Sequence, residues 1–258
     1  MRLMKKFWGA AAALVLSASL LVGCSSGTAS SVPVSASSAA ESTVSSVEET
    51  ASSAVDENEA AAAQLLNDLT GSYQELWPVI LADEYKQTWL DDCTALVGED
   101  NAEAAFEKLS SMVTGDVYGE DAVKAYANGG GAYFCGFTNS LATLTFDGET
   151  STISGTDKDG NVLFSHTYHY IGMEPVRGLY EFESDDADSG EFTYFFLAPD
   201  TSAETYHIEF RYGSDADALS QYDAGDYAYW VASGISTDCD QTMIDNCIEL
   251  FCTENLAG

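Results

Sequence analysis

From Ala132 to Tyr212 apolar and polar residues alternate with a period of two, the mark of strands with one face in a core. The clearest run is ETYHIEFRY, residues 204–212. Tyr206, Ile208, Phe210 and Tyr212 fall on one face; Thr205, His207, Glu209 and Arg211 fall on the other. The pattern predicts strands over Ala132–Thr138, Ala142–Phe146, Thr150–Gly155, Val162–Tyr170, Gly178–Glu183, Phe192–Ala198 and Thr205–Tyr212. Asp147-Gly148 and Asp159-Gly160 read as hairpin turns, and Ala198–Ser202 as the turn before the last strand. Short strands at this spacing predict a barrel or sandwich.

Before this region the period is helical. Leu65, Leu66, Leu69, Tyr73 and Leu76 recur at near-helical spacing, followed by Trp77, Ile80 and Leu81. Pro78 breaks the pattern, and a second start is expected near Asp83. Glu84–Leu96 and Ala102–Val113 read as further helices, and Gly129-Gly130-Gly131 ends the helical stretch. Helical patterns return at Asp215–Tyr222 and Asp240–Cys252.

Residues 1–23 read as an export signal. Arg2, Lys5 and Lys6 form a basic flank, and Ala10–Val22 is an apolar run too short for a membrane span. It ends in Leu21-Val22-Gly23-Cys24, which resembles the bacterial lipobox. Cys24 is then expected to carry lipid and to anchor the protein to a membrane outside the cytoplasm. Residues 24–57 are dominated by Ser, Ala, Thr, Val and Glu and contain no aromatic residue, so they read as a tether. As a flexible coil such a tether spans roughly 30 Å. Residues 58–258 form the expected folded domain.

The chain holds 14 Tyr, 12 Phe and 4 Trp, enough aromatic mass for one sizeable core. Its formal charge is -33, from 9 Lys and Arg against 42 Asp and Glu. Such a surface repels nucleic acid and concentrates cations. After Cys24 five cysteines remain, Cys93, Cys135, Cys239, Cys247 and Cys252. None forms a CxxC, and the sequence leaves their pairing open.

Few motifs carry chemistry. Asp157-Lys158-Asp159-Gly160-Asn161 fails as a calcium loop, because Gly comes fourth and Tyr168 stands at the twelfth position. It reads as a hairpin turn. Asp215 and Asp217 follow Gly213, with Ser214 or Asp215 expected as a helix N-cap. His166 and His169 fall on opposite faces of one strand and do not share a metal. No nucleophile elbow, phosphate-binding glycine loop or HExxH is present, so the sequence gives no support to an enzyme. His207 and Glu209, two apart on one strand face, are a pair of candidate metal ligands.

The order of these features resembles the ZinT-like metal-binding family, over most of residues 66–252. LTGSYQELWP, residues 69–78, looks like the family's opening segment. Tyr168-His169-Tyr170-Ile171-Gly172 and Gly178-Leu179-Tyr180-Glu181-Phe182-Glu183 match two of its strands. Phe192 to Pro199 matches the strand that ends in Ile-Ala-Pro, and Tyr206 to Asp215 the His-x-His strand that ends in Gly-x-Asp. The resemblance implies a mainly β, lipocalin-like (calycin) antiparallel barrel with N-terminal and C-terminal helices. It further implies binding or buffering of a divalent metal, zinc first, in zinc homeostasis, with a zinc ABC transporter as partner.

Family members hold zinc through three histidines. Aligned here, the first is Phe195, the second remains His207 and the third is Glu209. With the turn centred near Thr201, Phe195 is expected opposite His207 and Thr193 opposite Glu209. The site is then degenerate, and Phe195→His is expected to restore a third ligand. The alternative reading is a barrel of the same fold that has lost the metal and binds a small apolar ligand or a surface partner, supported by the Tyr and Phe residues beside the site.

Overall fold

The computed structural model describes residues 57–199 and 207–257. Residues 24–56 of the expected tether, the lipobox and most of the turn before the last predicted strand lie outside them.

Helix α1 covers residues 57–68 and buries Ala62, Leu65 and Leu66, the positions its spacing aligns on one face. It runs directly into strand β1 (Gly71–Glu75), where the spacing predicts helix. Continuity of the apolar pattern conceals the change: Tyr73 falls at the next helical position after Leu69, yet it faces the barrel interior from a strand. Strand pairing on both sides decides the conformation, since β1 bonds to β2 and to β8.

Then come α2 (Leu76–Ile80), a 3-10 turn at Asp83–Tyr85, α3 (Lys86–Val97), α4 (Glu99–Val113) and α5 (Glu120–Ala125). Pro78 sits in the first turn of α2, where a missing N–H costs nothing, so it starts a helix instead of breaking one. Residues 132–138 form a connection, not a ladder strand. Phe134 makes isolated bridges to Thr114 and Trp230.

Strands β2 (Thr143–Asp147), β3 (Thr152–Thr156), β4 (Val162–Met173), β5 (Tyr180–Ser184), β6 (Tyr194–Leu197), β7 (His207–Gly213) and β8 (Ala232–Ser236) follow in order. Each pairs antiparallel with its sequence neighbours, and β8 returns to β1, giving a closed eight-stranded barrel. The mainly β, lipocalin-like architecture is therefore present. Helix α6 (Ala216–Leu219) and helix α7 (Gln241–Leu256) lie on either side of β8 in the chain. Asp215 caps α6 by accepting from the Ala218 N–H at 3.0 Å, and Asp240 caps α7 through Met243 at 3.0 Å. The Asp157 carboxylate accepts from the Asp159 and Asn161 N–H groups, so it closes the β3–β4 hairpin.

Two cores result. The first fills the barrel with Phe146, Ile153, Phe182, Phe195, Phe210 and Tyr212, all essentially inaccessible. An eight-stranded barrel is either filled by its own side chains or holds one small ligand, and here the side chains fill it. A small apolar ligand would have to displace these rings. The second core lies outside the barrel, where Trp89, Leu109, Ile235, Ile248 and Cys252 join α3, α4 and α7 to the outer face of β8. Burying each large apolar side chain stabilises the layer by about 1.5–3 kcal/mol. Trp89 also donates its indole N–H to the Ile80 carbonyl at 2.7 Å, tying α3 to the end of α2.

Candidate metal centre

Strand β7 carries both candidate ligands. Its period-two pattern puts Ile208, Phe210 and Tyr212 inside the barrel, and all three are buried. His207 and Glu209 project from the outer face, His207 half-buried and Glu209 exposed. On the adjacent strand His207 is opposite Ile235 and Glu209 opposite Ser233. Ile235 belongs to the outer core under the helices, which fixes the side on which His207 stands.

The expected partner position is not there. Phe195 pairs with Tyr212, and Ala198 donates its N–H to the Glu209 carbonyl at 2.9 Å. The register is five positions further along β7 than a turn centred near Thr201 predicts. An odd slip reverses every side chain. Phe195 accordingly lies inside the barrel with no exposure, its ring 5.4 Å from Tyr168, 5.4 Å from Tyr212 and 6.3 Å from Phe210. The structure brings His207 and Glu209 together and places Phe195 on the opposite face of the sheet.

What faces His207 and Glu209 is helical. They line a cleft of about 30 Å³ with Leu76, Trp77 and Ile80 from α2 and Cys247, Leu250, Phe251 and Glu254 from α7. Trp77 and Phe251 meet edge to face at 4.8 Å and wall the cleft. Glu254 is a ligand-type residue that sequence reasoning missed. It stands far along the chain, beyond Cys252 where the helical reading ends, on an element whose docking partner no local spacing reveals.

The donor set is chemically suited to zinc: one imidazole and two carboxylates, with a thiol nearby. Burial pushes Cys247 up to about 12, and burial followed by the Glu209 carboxylate pushes Cys135 up to about 12. Among the described residues no three His, Cys, Asp or Glu side chains stand together at metal-holding distance.

The remaining histidines are engaged elsewhere. His166 Nδ1 lies 2.8 Å from Asp186 Oδ2, and His169 Nδ1 lies 2.7 Å from Asp185 Oδ1. They occupy opposite faces of β4, as their spacing predicts. His166 is on the inner side, stacked on Phe164 at 5.8 Å.

Arg211 shares the outer face of β7 with the candidate ligands but is wholly buried. Its guanidinium donates to the backbone carbonyls of Leu219, Gln221 and Tyr227 and lies 4.3 Å from the Tyr222 ring. It folds the segment after α6 back over the sheet. Burial lowers its basicity, opposed by Tyr222.

No family model matches the chain. No curated protein matches it either. Among solved structures, Zn(II)-bound AdcA from Streptococcus pneumoniae aligns at 15% identity and a TM-score of 0.41, over 72% of this chain and 35% of that one. This chain thus spans about a third of AdcA. The Zn(II)-bound ZinT-like domain of the same AdcA aligns at 16% identity and a TM-score of 0.45, over 71% of this chain and 89% of that domain.

Proposed function

We propose that the barrel binds a divalent metal ion, zinc first, in the cleft between β7 and α7, with His207 and Glu209 as donors and Glu254 completing the set. The observation that carries this reading is that these three side chains line one small cleft. Its volume, about 30 Å³, suits a single ion or water. When bound, zinc would take imidazole nitrogen and carboxylate oxygen and keep positions open to water. The chain's formal charge of -33 favours accumulation of cations at its surface. Two carboxylates and one imidazole that do not stand together at metal-holding distance make a weak site, suited to buffering.

The wider role follows from the sequence. The basic flank and lipobox support export and lipid anchoring at Cys24, with residues 25–57 as the tether. The motif resemblance supports delivery of metal to, or retention near, a zinc ABC transporter, by binding and without catalysis. Among the described residues no helix is long and apolar enough to cross a membrane.

The test is calorimetric titration of the metal-free protein with zinc, alongside His207→Ala, Glu209→Gln and Glu254→Gln, each checked by circular dichroism. His207→Ala is expected to weaken binding at least tenfold, about 1.4 kcal/mol. Zinc binding unchanged in all three variants would remove the reading.

A further inference from the structure

The helical layer contains a pair of thiols that neither the barrel nor the metal cleft uses. Cys93 on α3 and Cys252 on α7 stand with their sulfurs 3.9 Å apart, both wholly buried. They are 159 positions apart in the chain. Trp89, Leu109 and Ile248 belong to the same buried cluster, so the two sulfurs meet in a closely packed layer between well-formed helices.

We propose that Cys93 and Cys252 form a disulfide that fastens α7 to α3. A disulfide needs sulfurs about 2.05 Å apart. Rotating two unbranched Cβ–Sγ arms and a small helix shift supply the remaining approach. The reaction is two exchanges with an external disulfide, either oxidised glutathione or an oxidoreductase of the dithiol type. One cysteine thiolate attacks that disulfide, forming a mixed disulfide and releasing one thiol. The second cysteine thiolate then attacks the mixed disulfide and releases the other thiol. Two thiol protons leave, two electrons pass to the external disulfide, and one Sγ–Sγ bond forms.

Burial raises both thiols, and Cys93 also feels a hydrogen bond with Cys252 that lowers it. The exchange therefore belongs to the stage of folding before α7 docks, when the thiols are still open to solvent. An exported location would keep the bond oxidised. The consequence reaches the cleft. Helix α7 supplies Leu250, Phe251 and Glu254 to the wall opposite His207 and Glu209, and the cross-link sits beside these residues in α7.

The cross-link stands independently of metal binding, and its test contains no metal. The full chain is refolded in a reduced and oxidised glutathione buffer, alkylated, digested and mapped by mass spectrometry. The expected product joins the Cys93 peptide to the Cys252 peptide and lacks two hydrogens. In thermal melts, reduction is expected to lower Tm by about 5–10 °C. That shift should be absent in Cys93→Ala, whose methyl group suits the apolar site. Alkylation of both Cys93 and Cys252 as free thiols in the folded, oxidised protein would overturn the proposal. So would their pairing with Cys135, Cys239 or Cys247. The peptide map uses the native sequence, so its outcome does not depend on the variant folding.

Discussion

Phe195→His separates two geometries of the β6–β7 pair. If Phe195 stood opposite His207, the new imidazole would complete a three-ligand site and raise zinc affinity. In the structure Phe195 is paired with Tyr212 and has no exposure. Its ring touches a cage made by Phe164 at 5.9 Å, Tyr168 at 5.4 Å, Phe210 at 6.3 Å and Tyr212 at 5.4 Å. Aromatic contacts contribute about 0.5–1.5 kcal/mol each beyond area burial, and an imidazole keeps only part of them. A buried polar group without a partner costs a further ~1–3 kcal/mol. The expected destabilisation is about 3 kcal/mol, a fall in Tm of roughly 6–12 °C for a domain of this size. Urea unfolding followed by circular dichroism measures the loss, and zinc calorimetry at a temperature where the variant remains folded measures binding. No gain in zinc affinity is expected. A folded Phe195→His protein that binds zinc more tightly, with the gain abolished by His207→Ala, would refute the register and the placement of the candidate centre.

Other perturbations read different parts of the account. Arg211→Lys replaces a fork that reaches three backbone carbonyls with a single ammonium, so a loss of about 2–4 kcal/mol is expected in urea unfolding. The Asp92 carboxyl is held above the usual range, by burial first and then by Glu249, Asp245 and Asp91. The folded state therefore binds more protons there than the unfolded chain, and this group's contribution to stability falls as pH rises from about 4 through its folded value. Asp92→Asn is expected to be more stable than the native protein at pH 7 and close to it near pH ~3.5, as measured by unfolding at both values. Cys24→Ala is expected to release the protein from membranes into the soluble fraction, and retention on membranes without detergent would count against lipid anchoring.

Much of the barrel was legible because half-buried strands advertise themselves. Six of the predicted strands lie within a few residues of β2 to β7, each with an apolar face turned inward. The two strands that close the barrel were not legible, for different reasons. β1 prolongs a helical spacing, so Tyr73 fits both readings until its partners on β2 and β8 are known. β8 is Ala-Ser-Gly-Ile-Ser, buried on both faces over most of its length, and so shows no alternation. Its Gly234 is there for close approach: a Cβ would meet Ile208 Cγ1 at 3.1 Å and the Gln74 carbonyl at 3.4 Å. At the candidate centre, the common face of His207 and Glu209 was legible from parity. The partner across the strand pair was not, because register depends on the length of the turn, and an odd error exchanges inside for outside. Glu254 was out of reach of any local pattern. It joins the cleft only because α7 docks through Ile244, Ile248 and Cys252.

The central claim is a metal site outside the barrel, between β7 and α7. An anomalous difference map at the zinc edge, from crystals of the protein grown with zinc, tests it most directly. A peak is expected in the cleft within bonding distance of His207 and of at least one of Glu209 and Glu254. A peak inside the barrel beside Phe195, or ordered zinc only at His166 or His169, would contradict it.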